Sequence, residues 1–334
     1  MKAIVLKDIN TPLSLEDVAI PELGPDEALV QIKAAGINKR DWWIWKGQYA
    51  GLKFPIILGS DGCGIVKEVG RQVSSSWKGK EVIIYPASDW GDNESYQGKA
   101  FKILGLPENG CFAEYVKVKK SMLYPKPKHL GFLESAALPV AGLTAYRALF
   151  VRGRWQSGEK VLISGTGGGA ATFALQWAIA AGAEVWVTSG SNEKIQKAIN
   201  LGAKGGVNYK NQNWAEELSQ TAGEFNLIID SALGEGFASL VTLTASGGRI
   251  VFFGGTAGNL PPLNGRPIFW KQIDILGTTM GSPKDFENML NFIEKHQIVP
   301  VIDDVHPLSQ AQLAFEQMST SGDRFGKRVL QIGS

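Results

Sequence analysis

The chain has 334 residues, 44% hydrophobic and 20% charged, with 34 Lys plus Arg against 32 Asp plus Glu. That length suits two ordinary domains, and a net charge of +2 gives no electrostatic reason to expect a nucleic-acid or lipid partner. The two cysteines, Cys63 and Cys111, form neither a C-x-x-C pair nor a disulfide framework, which argues against a structural zinc knuckle and fits a reducing, cytoplasmic setting.

The opening MKAIVLKDIN meets charge again at Lys7 and Asp8, so it lacks the apolar run of a secretory leader. Short strand-like runs follow, separated by Gly and Pro: AIVLK, ALVQIKAAG, GCGIVKEVG, EVIIYP and AEYVKVK. They predict a mainly β region before residue 130. Residues 86–110 make a long polar insertion, expected to be an ordered loop. YPKPKHLGF (124–132) reads as a connection, and ESAALPVAGLTAYRALF as a helical stretch interrupted by Pro139.

From Lys160 the rhythm changes. KVLISG, EVWVTS, GVNY, FNLIID, RIVFFG and IDILGTT read as strands; ATFALQWAIAAG, NEKIQKAINLG, NWAEELSQTAG and GFASLVTLTAS read as helices between them. Such alternation predicts an α/β fold, a doubly wound parallel sheet covered on both faces. The uncharged run 161–183 could span a bilayer by length alone. Gly165, Gly167, Gly168, Gly169, Ser164 and Gln176 lower its hydrophobicity, and it is not read as a span. PKDFENMLNFIEKHQ and SQAQLAFEQMSTS have the spacing of amphipathic helices, and KRVLQIG closes the chain as a strand.

The stretch KVLISGTGGGAATFALQWA is a strand, a glycine turn and a helix. Glycines let the backbone approach a pyrophosphate, and a helix N-terminus offers unpaired N–H groups and partial positive charge. Gly165, Thr166, Gly167, Gly168, Gly169 and Ala170 are therefore candidate dinucleotide contacts, although Ala170 takes the last glycine place of G-x-G-x-x-G. In the NAD version of such folds an acid some 20 residues on takes the ribose 2′-hydroxyl. Here VWVTSGSNEK ends its strand in hydroxyls. Ser189 and Ser191 can donate hydrogen bonds and Lys194 can supply positive charge, while Glu193 suits the first turn of the next helix. The pattern favours NADP(H) over NAD(H).

AAGINKRDWWIWKGQY, FPIILGSDGCGIVKEVG, ENGCFAEYVKV, ESAALPVAGLTAYRAL, the glycine loop, LGAKGGVNY and FGKRVL occur in one order along the chain. In that order they resemble the medium-chain dehydrogenase/reductase superfamily, specifically its zinc-free quinone-oxidoreductase-like branch. The resemblance implies a GroES-like catalytic domain (1–125 and 282–334) with a distorted β-barrel core, split around a Rossmann domain (126–281) of strand order 3-2-1-4-5-6. It also implies homodimers joined at the Rossmann sheet edge, near PIFWKQIDILG. Zinc enzymes of the superfamily hold the metal through Cys and His; the matching positions here are Asn38, Ser60 and Ala141, and the lobe that elsewhere carries four cysteines has only Cys111.

Without zinc to stabilise an alkoxide, the resemblance implies reduction of a quinone or an α,β-unsaturated carbonyl by NADPH. Asn38 would line the nicotinamide pocket. Trp43 falls where relatives carry a tyrosine, so it can stack on a flat acceptor but cannot donate a phenolic proton. Tyr49 could place a hydroxyl at the pocket mouth, and Asp61 is expected to pair with Lys39 or Arg40. Thr144, Tyr209, Phe253, Gly254, Thr278 and Met280 complete the expected cofactor contacts. Two rivals stand beside this reading: a cofactor-binding redox sensor or structural protein with little turnover, and a zinc-type alcohol dehydrogenase.

Overall fold

The structure, a computed structural model, describes residues 1–318, 322 and 324–333. In chain order the elements begin with β1 (Lys2–Leu6), β2 (Ser14–Asp17), β3 (Glu27–Ile37), α1 (Lys39–Trp45), β4 (Ile56–Ile57), β5 (Cys63–Val69) and β6 (Glu81–Ile84). They continue through β7 (Ala87–Ser88), β8 (Lys102–Ile103), β9 (Tyr115–Lys119), β10 (Leu123–Pro125), α2 (Phe132–Ala137) and α3 (Pro139–Tyr146). Next come β11 (Lys160–Ser164), α4 (Gly169–Ala180), β12 (Glu184–Ser189), α5 (Asn192–Asn200), β13 (Gly205–Asn208), α6 (Trp214–Ala222), β14 (Phe225–Asp230) and α7 (Phe237–Leu243). The last are β15 (Thr244–Phe252), α8 (Gly265–Lys271), β16 (Asp274–Gly277), α9 (Pro283–His296), β17 (Ile302–Pro307), α10 (Ala311–Glu316) and β18 (Lys327–Gln331).

The chain divides into two compact units: Met1–Val140 with Ser282–Ser321 and Lys327–Ser334, and Ala141–Gly281 with Gly322–Gly326. The division falls inside α3, later than the boundary at residue 125 that the sequence suggests. In the first unit β3 is the hub. It pairs antiparallel with β5, β9 and β18, and its inward residues Ala28, Val30, Ile32 and Ala34 are at most 1% exposed. Gly36 is fixed by packing: a Cβ there would lie 2.5 Å from the Ala136 carbonyl of α2. The C-terminal strand enters this sheet with Arg328 opposite Ile37 and Leu330 opposite Ala35. That register sets Lys327 beside Asn38.

The second unit carries a six-stranded sheet, order β13-β12-β11-β14-β15-β16, parallel throughout. It matches the expected 3-2-1-4-5-6 order. Val161, Leu162, Ile163, Leu227, Ile228, Ile229, Ile250 and Val251 are buried to within 1%, as strands covered on both faces must be. The uncharged run 161–183 resolves into β11, the glycine turn and α4, and among the described residues no helix is long and apolar enough to cross a membrane.

Three elements differ from the sequence reading. Thr244–Ser246 begin β15 instead of ending a helix: Thr244 pairs with Phe225, and its hydroxyl reaches back to the Leu240 carbonyl at 2.7 Å. Gly265 and Pro267 disguise α8, which Asn264 caps by accepting from the Arg266 N–H at 3.0 Å. The acidic IDDVHP is strand β17, held by parallel pairing with β18, and Ser319–Ser321 of the expected last helix lie outside the described residues.

Candidate functional site

In the second unit the carboxyl ends of β11 and β12 build a cradle. Gly165 and Gly167 have φ of +69° and +119°, a region that favours glycine. Backbone bonds from Gly165 N to Thr188 Oγ1 (3.1 Å) and from Thr166 N to the Thr188 carbonyl (2.7 Å) pin the loop to β12. Ser189 is 2% exposed and its hydroxyl donates to the Thr166 carbonyl at 3.0 Å. It shapes the loop from beneath, which corrects its expected role as a phosphate donor. Gly326 N closes the other side on the Gly167 carbonyl at 3.2 Å.

Gly168 is different: its φ is −74° and an added Cβ would meet nothing within 4 Å. The fold does not demand glycine there, yet a side chain would enter the open space before α4. Thr166 Oγ1 and Thr278 Oγ1 are buried and find no hydrogen-bond partner among the described residues. A cradle kept clear by glycine, with the orphaned Thr166 hydroxyl in the loop and a helix N-terminus behind it, fits a dinucleotide phosphate.

The Lys194 stem lies over this loop, its Cδ 2.8 Å from where a Gly167 Cβ would be. At Gly190 an added Cβ would lie 2.7 Å from Tyr209 Oη and 3.1 Å from Lys210 Cε. Tyr209 and Lys210 therefore lean over the end of β12, with Ser191 at the N-cap of α5. Lys210 is a residue that sequence reasoning missed; only its place directly after Tyr209 could have suggested it. Phe253, Gly254, Thr278 and Met280 follow the carboxyl ends of β15 and β16, with Phe253 N bonded to the Asp230 carbonyl at 3.1 Å and Thr278 N to the Phe252 carbonyl at 3.0 Å. Asp230 turns the loop after β14 by accepting from Ala232 and Leu233 N–H, and burial pushes its carboxyl up. Thr144 is buried within α3.

The first unit holds a second constellation around the start of α1. Asn38 is 6% exposed, and its backbone N–H donates to Asp41 Oδ2 at 2.8 Å. Lys327, 2% exposed, donates from Nζ to Asn38 Oδ1 (2.7 Å), the Ile37 carbonyl (2.9 Å) and Asp61 Oδ2 (3.1 Å). Asp61 Oδ1 accepts from Val140 N–H at 2.8 Å. The partner of Asp61 is thus Lys327, not Lys39 or Arg40. Lys39 sits over the Trp42 ring, 3.8 Å from its centroid. Arg40 turns toward the 86–110 insertion: it donates to Ser60 Oγ (2.8 Å) and the Leu104 carbonyl (3.0 Å), and stacks 5.0 Å from the Tyr49 ring.

Burial raises both carboxyls of this cluster. Asp41 is pushed up to about 6, with the Arg40 guanidinium pulling the other way. Asp61 is also raised by burial, with Lys327 opposing. Trp43 is half-buried and meets Trp42 edge-on at 4.9 Å, and Tyr49 Oη accepts from Arg40 Nε at 3.4 Å.

These residues do not fit a catalytic zinc. Asn38 Oδ1 and Ser60 Oγ are occupied by ammonium and guanidinium, and Ala141 offers no donor. Cys63 and Cys111 are buried thiols that desolvation pushes up, away from thiolate. His129 faces the Ile298 carbonyl, His296 lies against Phe292, and His306 pairs with Asp304. Among the described residues no group of three or more His, Cys, Asp and Glu could hold a metal ion.

Residues 24–128 match the family model described as an alcohol dehydrogenase GroES-like domain, and residues 169–295 the one described as a zinc-binding dehydrogenase. The chain is 36% identical to the "zinc-type alcohol dehydrogenase-like protein YogA" of Leptosphaeria maculans, over 96% of this chain and 95% of that protein. It is 29% identical to a quinone oxidoreductase of Mus musculus, over 99% of this chain and 98% of that one. A solved structure described as an NAD-dependent alcohol dehydrogenase matches with a TM-score of 0.93 at 35% identity, covering 100% of both chains.

Asp41 gives the cluster a pH signature. Its raised value means that the fold takes up a proton between about pH 4 and pH 6. Stability from this group is present below the unfolded value and is lost as pH rises through the folded one. Asp41→Asn keeps an oxygen for the Asn38 N–H and cannot ionise. Between about pH 4 and pH 7.5 its urea unfolding free energy should gain on the order of 2–3 kcal/mol on the wild type. Parallel profiles would mean that Asp41 titrates as an ordinary carboxyl.

Proposed function

This chain belongs to the medium-chain dehydrogenase/reductase superfamily and is an oxidoreductase of it; we propose that it is an NADPH-dependent reductase of quinones or α,β-unsaturated carbonyls that works without zinc. The observation that carries the reading is the donor set: where zinc relatives place metal ligands, this chain has an amide and a hydroxyl already engaged by Lys327 and Arg40. The relative named zinc-type makes the metal the first point to test.

When bound, NADPH supplies the hydride. The Gly165–Ala170 turn and the α4 N-terminus would receive its pyrophosphate, and Phe253, Gly254, Thr278, Met280 and Thr144 its nicotinamide half. Lys194, Ser191, Tyr209 and Lys210 would meet the 2′-phosphate, at the strand end where an NAD fold carries an acid. A similar structure is described as NAD-dependent, so this end of the site decides the cofactor. Asn38 donates from Nδ2 to the acceptor oxygen on which charge builds. The Trp43 indole gives a flat acceptor a stacking surface. The proton that completes reduction comes from solvent.

A second copy of the chain is the proposed partner. On α8, Phe269 and Trp270 are 68% and 82% exposed, and β16 ends the six-stranded sheet with an open edge. A homodimer would cover both.

NADPH consumption with a panel of quinones, enals and enones should detect turnover that survives chelation. Chelator-sensitive alcohol oxidation with stoichiometric zinc would overturn the reading. Lys194→Ala should weaken NADPH by about tenfold or more and NADH by less than about twofold in a fluorescence titration; equal losses would remove the 2′-phosphate assignment. Light scattering should find a dimer that Trp270→Glu shifts toward monomer, and an unshifted dimer would place the interface elsewhere.

A further inference from the structure

Lys327 is almost fully removed from solvent, and its ammonium does more than keep a metal from Asn38. We propose that Lys327 is a positioning residue for Asn38: its ammonium holds the amide oxygen, so that the amide offers only N–H donors to the oxygen of a bound acceptor. The inference rests on the reductase reading for its catalytic consequence, though not for the orientation of the amide.

An asparagine amide can sit either way round, and the two ends have opposite effects. Facing an oxygen that gains negative charge, Nδ2 stabilises and Oδ1 repels. An ammonium has three protons and no acceptor. At Lys327 the three are met by Ile37 O at 2.9 Å, Asn38 Oδ1 at 2.7 Å and Asp61 Oδ2 at 3.1 Å. Turning the amide over would set Nδ2 against Nζ, donor against donor, and would leave one ammonium proton unmet in a buried site. The orientation is therefore fixed by charge.

The other end of the amide is only partly engaged. Asn38 Nδ2 is buried and makes no well-formed hydrogen bond, although it lies close enough to help hold the Asp61 carboxyl down. A buried donor without a full partner carries a desolvation penalty that a ligand oxygen would relieve. The ammonium also draws density from the amide oxygen, which strengthens its N–H groups as donors. Asp61 in turn fixes Lys327, with its second oxygen on Val140 N–H.

Two measurements on the full-length protein test this. In the first, 15N-asparagine labelling follows the Asn38 side-chain amide, assigned by its loss in Asn38→Ala. Lys327→Met alone leaves Asp61 buried and uncompensated, so the variant used is Lys327→Met with Asp61→Asn, which removes both charges. Its Asn38 amide protons should exchange with water about tenfold faster or more than in wild type. Unchanged exchange would overturn the orientation claim, whether or not any acceptor is reduced. The second is a double-mutant cycle on kcat with the best acceptor of the panel. With Asn38 present, the paired change should lower kcat by about tenfold or more and leave NADPH affinity within about twofold. In the Asn38→Ala background the same pair should add less than about twofold. An equal loss in both backgrounds, or no loss with Asn38 present, would show that Lys327 does not act through Asn38. A wild type that reduces no acceptor would instead defeat the reductase reading, and the exchange measurement would stand.

Discussion

A lysine 2% exposed to solvent is tolerated only where its charge and all its protons are answered. Lys327 meets that condition through two elements far apart in the chain, and the first unit is organised around the encounter. Its register on β3 is set by Arg328 opposite Ile37. A slip of one residue would turn Lys327 to the other face of the sheet and send Val329 and Leu330, both fully buried, out of place. Close approach is secured by Gly36, where α2 leaves no room for a Cβ. The α1 start depends on the same point: Asp41 caps Asn38 from one side while Lys327 holds its amide from the other.

Much of the second unit is legible in the sequence because its signals are local. Apolar strands, helical spacing and turn glycines recur over short intervals, while the strand order comes from the family resemblance. The first unit is less legible because its decisive contacts are remote. Nothing near Asp61 indicates that a residue 266 positions later will neutralise it, and Lys39 and Arg40 are the nearer cations. Both are drawn away, Lys39 to an indole face and Arg40 to carbonyls of the 86–110 insertion. Strand β17 escapes notice for a related reason, since IDDVHP is polar and becomes a strand by pairing with β18.

The glycine loop shows why a motif read letter by letter is ambiguous. Gly165 and Gly167 are glycine for their backbone angles, and Gly167 also for the Lys194 stem above it. Gly168 has an ordinary φ and open space, and Gly190 is glycine because Tyr209 and Lys210 crowd it. Ser189 looks in sequence like a ligand for phosphate, yet its hydroxyl is turned inward to a carbonyl. Ser189 is therefore not among the groups open to a ligand, and on the proposed reading the stems of Lys194 and Lys210 carry more of the recognition of a phosphorylated dinucleotide.

Charge balance in the first unit bears on the direction of the proposed chemistry. Lys327 and Arg40 bring two positive charges, and Asp41 and Asp61 two carboxyls, all within a buried space. An ammonium matched by its own carboxylate offers an incoming oxyanion little net positive charge, because its field is already answered at 3.1 Å. Such a site stabilises a developing oxyanion through oriented dipoles rather than through net charge. Oriented N–H groups suffice when the acceptor delocalises the incoming electron pair, as quinones and enones do. They are weak help for stripping a proton from an alcohol, whose alkoxide holds its charge on one oxygen. On the proposed reading, the replacement of metal ligands by an amide under an ammonium's control turns the superfamily's site toward reduction of conjugated acceptors.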